Sequence, residues 1–152
     1  VMDTVLSFQL LYEEQGLNLQ SFVQPEICLH GSEQYLYQVL DVLLDNALKY
    51  SDAKGTVAVK LETAGKHCIL SVESHGMALA KEDLKNIFKR FYRADKARAM
   101  NGSYGLGLSI AESIVAAHKG KIWAQSEYGR NTFYVQFSIN DNINRETPFA
   151  YK

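Results

Sequence analysis

Apolar positions recur along the chain with two different periods, and each period predicts a different kind of element. Spacings of three or four residues are typical of a helix with one buried face, whereas every-second-residue spacing is typical of a half-buried strand. The helical period occurs in residues 5–11, 32–50, 81–88 and 106–118. The strand period occurs in residues 17–23, 26–30, 56–63, 67–74, 121–127 and 132–139.

The order of these segments predicts the fold class. Only the turn 64–66, which contains Gly65, separates 56–63 from 67–74, so the two are predicted to form a hairpin. Helices mixed with mostly antiparallel strands favour an α+β two-layer sandwich. We expect a mixed, mostly antiparallel sheet of about five strands, covered on one face by three helices.

Domain limits follow from where periodicity stops. Residues 1–139 are predicted to form one domain, in which 1–15 are a connecting helix or its remnant. Residues 92–104 combine glycine, asparagine and basic side chains without apolar periodicity, which predicts a mobile loop with a functional role. Residues 140–152 are predicted to be a frayed tail. The chain starts abruptly within a helical pattern, so we expect it to be a fragment of a longer protein.

Composition narrows the class of protein. The 152 residues carry a formal net charge of −1, and 47% are apolar, which indicates a folded globular domain without an electrostatic preference for nucleic acid or anionic membrane. Cys28 and Cys68 are too few for a disulfide framework and fit a cytoplasmic location. The most apolar stretch, 39–48, contains Asp41 and Asp45 and is too short to cross a bilayer.

The segment LLDNALKYS (43–51) places three chemically different groups on one helix face. Asn46 offers an amide oxygen suited to a hard cation, Lys49 an ammonium suited to phosphate, and Tyr50 a flat ring suited to a purine. The alternative is an ordinary solvated face, with Asp45 and Lys49 forming a weak ion pair four residues apart. The segment alone leaves both interpretations open.

Two further segments could bind or act on a phosphate. The glycines of 102–107 precede a helix whose free N–H groups would suit an anion, although such glycines often form only a tight turn. A dinucleotide-binding Rossmann motif is excluded, because no strand precedes them closely. In IFKRFYRAD (87–95) the aromatic residues at 88, 91 and 92 are predicted to pack internally, and Arg93 could stabilise a transferring phosphoryl group.

The four histidines and two cysteines do not have the spacing of a zinc site, so no zinc site is predicted. His118 is expected to complement the C-terminus of its helix.

Taken in order, these motifs resemble the ATP-binding catalytic domain of bacterial two-component sensor histidine kinases. The superfamily also includes DNA gyrase B, Hsp90 chaperones and MutL proteins. LLDNALKYS resembles the N box, VESHGMAL (72–79) the first glycine box, IFKRFYRAD the F box, GSYGLGLSIAESIV (102–115) the second glycine box, and SEYGRNTF (126–133) the closing segment. The resemblance covers about 1–139 and implies a Bergerat-type fold that binds ATP and Mg²⁺.

The resemblance also implies roles for individual residues. Asn46 would coordinate Mg²⁺, Lys49 would contact a phosphate, and Arg93 would assist phosphoryl transfer, so these three are the expected catalytic residues. The other expected nucleotide contacts are Tyr50, Ser74, Gly76, Leu79, Arg98, Gly105, Leu106, Gly107, Leu108 and Thr132, with 92–104 forming the ATP lid.

Some positions depart from the family pattern. Ser74 replaces an aspartate that accepts a hydrogen bond from adenine, and Ala78 and Asn131 replace glycines. Val42 stands where ATP-hydrolysing members have a glutamate general base, so hydrolysis is not expected. The substitutions leave a second function open, that of a degenerate nucleotide-sensing or protein-docking module.

The resemblance places the phosphorylated histidine outside this chain. None of the four histidines precedes an acidic residue, as the phosphoacceptor usually does. The implied partner is an upstream dimerisation domain that carries the phosphoacceptor, and indirectly a response regulator. The domain itself is expected to be cytoplasmic, without nucleic-acid or direct membrane contact, in a membrane-anchored parent protein.

Overall fold

The computed structural model describes residues 1–94 and 105–139. Along the chain these residues form α1 (Met2–Glu14), β1 (Asn18–Val23), α2 (Glu33–Tyr50), β2 (Thr56–Ala64), β3 (His67–His75), α3 (Lys81–Asn86), α4 (Gly107–Ala117), β4 (Lys121–Glu127) and β5 (Arg130–Ser138). Arg98, most of the predicted lid and the predicted tail 140–152 lie outside the described residues.

The five strands form one sheet in the order β1-β2-β3-β5-β4. Only β1 and β2 run parallel, and the other neighbouring pairs are antiparallel. The hairpin of β2 and β3 has the predicted position, with Ala64 opposite His67 next to the turn. The predicted mixed, mostly antiparallel sheet is therefore confirmed.

The predicted strand at 26–30 was wrong. Residues 24–30 contain a turn and no strand. Pro25 has no N–H to donate to a neighbouring strand, and Glu26 has a φ of 63°, which turns the chain out of the extended conformation. The apolar alternation of this segment comes from Ile27 and Leu29, which pack against the core from an irregular segment.

The core lies between one face of the sheet and the helices. Alternate residues of the strands, including Val57, Val59, Val72 and Val135, are almost inaccessible to solvent. They pack with apolar residues of α1, α2 and α4, so the sandwich has two layers. The short helix predicted at 81–88 is present as α3, which lies beside β4 in addition to the three longer helices.

Two long-range hydrogen bonds join the helices of this layer. The fully buried Tyr12 of α1 donates its hydroxyl to the Leu44 carbonyl of α2, at 2.7 Å. At the other end of α2, His118 Nε2 accepts the Ser32 N–H at 3.1 Å, and Nδ1 lies 2.8 Å from the Ile114 carbonyl. Ser32 is the N-cap residue but makes no side-chain cap bond, so a histidine from α4 takes over part of the capping.

No helix within 1–94 or 105–139 combines the length and the apolar character that crossing a membrane requires.

Candidate functional site

A cavity of about 450 Å³ lies where the C-terminal half of α2, the start of α4 and the ends of β3 and β5 meet. This volume is in the range of small-molecule sites. Its walls include most of the residues that the sequence predicted for the site. These are Asn46, Lys49, Tyr50, Ser74, Leu79, Arg93, Gly105, Leu106, Gly107 and Leu108.

The face of α2 predicted from the helical period lines one wall. Lys49 Nζ forms an ion pair with Asp45 Oδ2 at 2.7 Å, and both side chains are partly exposed, at 35% and 49%. Such an exposed pair is weak, so Lys49 can leave it for a stronger anion. Asn46 makes no side-chain hydrogen bond to another described residue, so its amide oxygen is available to a ligand.

The N-terminus of α4, which packs against α2, forms a second part of the wall. Its N-cap, Leu106, supplies no side-chain hydrogen bond, and the first turn holds no acidic residue. The first N–H groups of the helix thus have no capping side chain, and together with the helix dipole they favour an anion. An added Cβ at Gly107 would be in ordinary van der Waals contact with Val42, 3.4 Å from one of its methyl groups.

Gly105 lies two residues before the first residue of this helix. Its φ is +70°, and a Cβ there would lie 2.9 Å from the Tyr92 carbonyl oxygen. Its own carbonyl accepts the Phe91 N–H at 3.0 Å. The glycine therefore holds residues 91–92 beside the start of α4, and only glycine suits this position.

A pair of buried polar residues closes the sheet side of the cavity. Ser74 of β3 lies directly opposite Asn131 of β5, and their side chains are only 6% and 7% exposed. Asn131 Nδ2 donates to the Met77 carbonyl at 2.9 Å. Its Oδ1 is buried and has no hydrogen-bond partner among the described residues. An unpaired buried acceptor is energetically costly, since it gains neither a protein partner nor water.

The segment after α3 contributes Tyr92 and Arg93 to the cavity. Tyr92 donates its hydroxyl to Asp83 Oδ1 at 2.6 Å, and this bond raises the pKa of the tyrosine. Phe88 packs edge-on against Phe133, as predicted for an internal aromatic residue. Phe91 was wrongly predicted to be internal, because it is 72% exposed and has a φ of 63°.

Two of the predicted contacts lie outside the cavity wall. Gly76 does not line it but lies directly behind Tyr50, where its N–H donates to the Gly129 carbonyl at 3.2 Å. Thr132 does not line it either, because side chains alternate along β5 and Asn131 and Phe133 take the cavity side. Because side chains two residues apart on a strand share a face, the position of the apolar Phe133 would have predicted that Asn131 lies on the same face of β5.

Further wall residues were absent from the predicted site. They are Val42, Asp45, Ser51, Asp52, Ala53, Met77, Ile87, Tyr92, Ala94, Asn131 and Phe133. Most are small or apolar and carry no chemical signal in the sequence, so only the packing of the elements around the cavity reveals them.

The wall suits a ligand that has both anionic and flat apolar parts. Lys49, Arg93 and the N-terminus of α4 contribute positive charge to it. Leu79, Ile87 and Phe133 contribute apolar surface. Among the described residues, no three histidine, cysteine, aspartate or glutamate side chains cluster as for a metal bound by protein alone.

Comparison with known families identifies the class of protein to which this cavity belongs. The family of "Histidine kinase-, DNA gyrase B-, and HSP90-like ATPase" domains matches residues 31–142, most of the chain. The chain belongs to this ATPase family. The resemblance inferred from the motifs is thereby confirmed.

Similar curated proteins are sensor kinases. Sensor protein DltS of Streptococcus agalactiae serotype V is 34% identical over 138 residues, covering 91% of this chain but 35% of DltS. Sensor histidine kinase WalK of Bacillus subtilis is 36% identical over 128 residues, covering 82% of this chain and 21% of WalK. The chain therefore spans about a third or less of the length of these relatives.

The fold is shared with solved histidine kinase structures. The mycobacterial sensor histidine kinase MprB superposes with a TM-score of 0.80 at 22% identity, covering 91% of this chain and 95% of the MprB chain. This likeness confirms the α/β sandwich with its five-stranded mixed sheet.

Proposed function

We propose that this ATPase-family domain binds Mg²⁺–ATP in the cavity and transfers the γ-phosphoryl group to a histidine of a sensor kinase's dimerisation domain. The observation that carries the proposal is the convergence of Asn46, Lys49 and the start of α4 on one cavity that apolar side chains also line. The family match and the sensor-kinase relatives support it.

The triphosphate would occupy the side of the cavity between α2 and α4. Lys49 exchanges the Asp45 carboxylate for phosphate oxygens, and the N–H groups of α4 bind a second part of the phosphate chain. Arg93 stabilises negative charge on the transferring group. Positioning and charge neutralisation supply most of the catalysis in phosphoryl transfer, which these groups can provide.

The residues fit a magnesium ion. Mg²⁺ is commonly held by one or two protein oxygens, with phosphates and waters completing its shell. Asn46 offers an amide oxygen that no other described residue uses. A bound Mg²⁺ would neutralise phosphate charge and favour the reactive geometry.

Val42 supports transfer of the phosphoryl group to an acceptor rather than hydrolysis of ATP. Val42 lines the cavity against Gly107 and cannot take a proton from water. A histidine acceptor needs no such base, because neutral imidazole is itself a nucleophile. We propose that the acceptor lies on a dimerisation domain, that the phosphoryl group passes on to a response regulator, and that the domain works in the cytoplasm.

Calorimetric titration with ADP and a non-hydrolysable ATP analogue, with and without Mg²⁺, tests the nucleotide site. We expect micromolar binding, about −8 kcal/mol at 1 μM. Asn46→Ala should remove the gain in affinity that Mg²⁺ gives, while Gln38→Ala, an amide on the exposed side of the same helix, should retain it. Absence of binding at millimolar nucleotide would contradict the proposal and favour the degenerate docking module.

Phosphotransfer is tested with the parent protein, using ATP labelled at the γ-phosphate. Label should appear on a histidine in the native protein and not in Asn46→Ala. Release of inorganic phosphate without protein labelling would contradict transfer and indicate a hydrolase.

A further inference from the structure

Asp83 joins α3 to the segment that carries Tyr92 and Arg93. Its Oδ1 accepts the Tyr92 hydroxyl at 2.6 Å, and its Oδ2 accepts the Ala80 N–H at 3.0 Å. Both oxygens of the carboxylate are therefore engaged, and the negative charge of the acceptor strengthens each bond. The raised pKa of Tyr92 has the direction expected for a phenol that donates to a carboxylate.

The position of α3 is itself fixed relative to the sheet. The helix has only six residues, Lys81–Asn86, which is too short to be stable through its own hydrogen bonds. Just before it, the Leu79 N–H donates to the Ser126 hydroxyl of β4 at 2.9 Å, and Ala80 is the N-cap to which Asp83 binds. The Asp83 carboxylate is thus tied to the sheet as well as to its own short helix.

The segment that contains Tyr92 depends on such a tie, because the residue before it is strained. Phe91 has a φ of 63°, a left-handed conformation that is uncommon for a bulky residue and persists only where surrounding contacts hold it. Its side chain is exposed and adds little packing. Its N–H donates to the Gly105 carbonyl at 3.0 Å, and the next side chain donates to Asp83. Loss of the Tyr92 bond would therefore let the backbone at 91–93 relax.

We propose, on the basis of the nucleotide site proposed above, that Asp83 is a positioning residue for Arg93. Through the Tyr92 hydroxyl it fixes the backbone from which the guanidinium reaches the phosphates. Tyr92 and Arg93 both line the cavity, whereas Asp83 does not, so the carboxylate acts on the nucleotide only through the arginine. A guanidinium binds phosphate oxygens with a rigid fork of donors, and a shift of its backbone weakens that contact.

The test is calorimetric titration of the 152-residue chain with Mg²⁺ and adenylyl imidodiphosphate, a non-hydrolysable ATP analogue. Tyr92→Phe keeps the ring and the bond between Asp83 and Ala80, and it removes only the bond between Tyr92 and Asp83. It should weaken binding about three- to tenfold, the range expected for a residue that acts on a ligand through another residue. In an Arg93→Gln background the same change should alter the affinity by less than about twofold, because no guanidinium is left to position. Asp83→Asn can still bond to the hydroxyl, so it should weaken binding less than Asp83→Ala does.

Glu82→Gln is the matched control, because it removes one acidic charge from an exposed side chain in the same turn of α3. It should bind the analogue as tightly as the native chain does, and weakening equal to that of Asp83→Asn would overturn the inference by assigning the effect to charge. Native affinity in Tyr92→Phe would overturn it and leave the nucleotide site intact. Equal weakening by Tyr92→Phe with and without Arg93 would also overturn it, since a general loss of structure does not depend on the arginine. Absence of binding by the native chain would overturn the proposed function and this inference together.

Discussion

The carbonyl oxygen of Tyr50 occupies the space that a side chain at Gly76 would need, 2.5 Å from the position of an added Cβ. The end of α2 and the segment after β3 are thus in backbone contact behind the cavity. The Asp52 N–H, which donates to the His75 carbonyl at 2.8 Å, joins the same two segments. The absence of a side chain at position 76 therefore allows the backbone contact that fixes the position of Tyr50 beside the cavity.

Gly76→Ala should reduce both stability and nucleotide affinity. The new methyl group would overlap the Tyr50 carbonyl, and neither backbone segment can move away without an energetic cost. We therefore expect a loss of about 1–3 kcal/mol in the free energy of unfolding and roughly tenfold weaker ADP binding. Chemical denaturation and calorimetry measure the two effects. Gly65→Ala is the control: its φ of +60° makes it strained as well, but nothing lies within 4 Å of the added Cβ. It should lose stability without losing affinity. Unchanged affinity in Gly76→Ala would contradict the role assigned to this contact.

Asp45→Asn should strengthen nucleotide binding in the absence of Mg²⁺. The Asp45 carboxylate holds Lys49 at 2.7 Å and repels an incoming phosphate, so its neutralisation releases the ammonium. We expect ADP affinity to rise about two- to fivefold at low salt, and stability to change by less than about 0.5 kcal/mol. Lys49→Met should weaken binding instead. Asp41→Asn, on the exposed part of the same helix, controls for the change in net charge. Weaker ADP binding by Asp45→Asn would show that the carboxylate is itself required.

His118 and Gly31 should be energetically coupled. An added Cβ at Gly31 would lie 2.5 Å from His118 Cδ2, while the same ring accepts the neighbouring Ser32 N–H. Gly31→Ala should cost more than about 1 kcal/mol in the native background and much less in His118→Ala. A double-mutant cycle of unfolding free energies should give a coupling of at least about 0.5 kcal/mol. Additive effects would show that the ring moves away without cost.

The stability of the domain should depend on Tyr12 at alkaline pH. Burial, and to a lesser degree the charge of Asp45, raises the pKa of Tyr12 well above its ordinary value of 10.0. The unfolded chain releases this proton near its ordinary pKa whereas the folded chain keeps it. The stabilisation that the protonated Tyr12 gives to the folded state is therefore complete below about pH 10 and declines as the pH rises further.

Tyr12→Phe should remove this part of the pH dependence. Above about pH 10 the native chain should lose up to about 1.4 kcal/mol more per pH unit than the variant. At neutral pH the variant should be less stable by about 0.5–1.5 kcal/mol, because it lacks the bond to the Leu44 carbonyl. Tyr35→Phe, at an exposed position, should follow the native curve. If the free energy of unfolding had the same pH dependence above about pH 10 in the native chain and in Tyr12→Phe, Tyr12 would not be the group responsible.

The sequence alone determined those features that depend on neighbours along the chain. The helical period placed Asn46, Lys49 and Tyr50 on one face of α2, and the hairpin of β2 and β3 followed from a short turn between two alternating segments. Period counting failed at 26–30, because Pro25 and the left-handed backbone of Glu26 override the apolar alternation. It also failed at Phe91, which has a left-handed backbone and an exposed side chain.

Only the tertiary structure decided which distant residues meet. Ser74 and Asn131 become neighbours through the register of β3 with β5, and one residue of slip would have turned Thr132 to the cavity in place of Asn131. The unpaired amide oxygen exists only because Met77 occupies the other end of that amide. The helical and strand periods can be read from a short segment, because they depend only on the spacing of side chains along the chain. Strand register and contacts between distant backbone segments depend on the packing of the whole core.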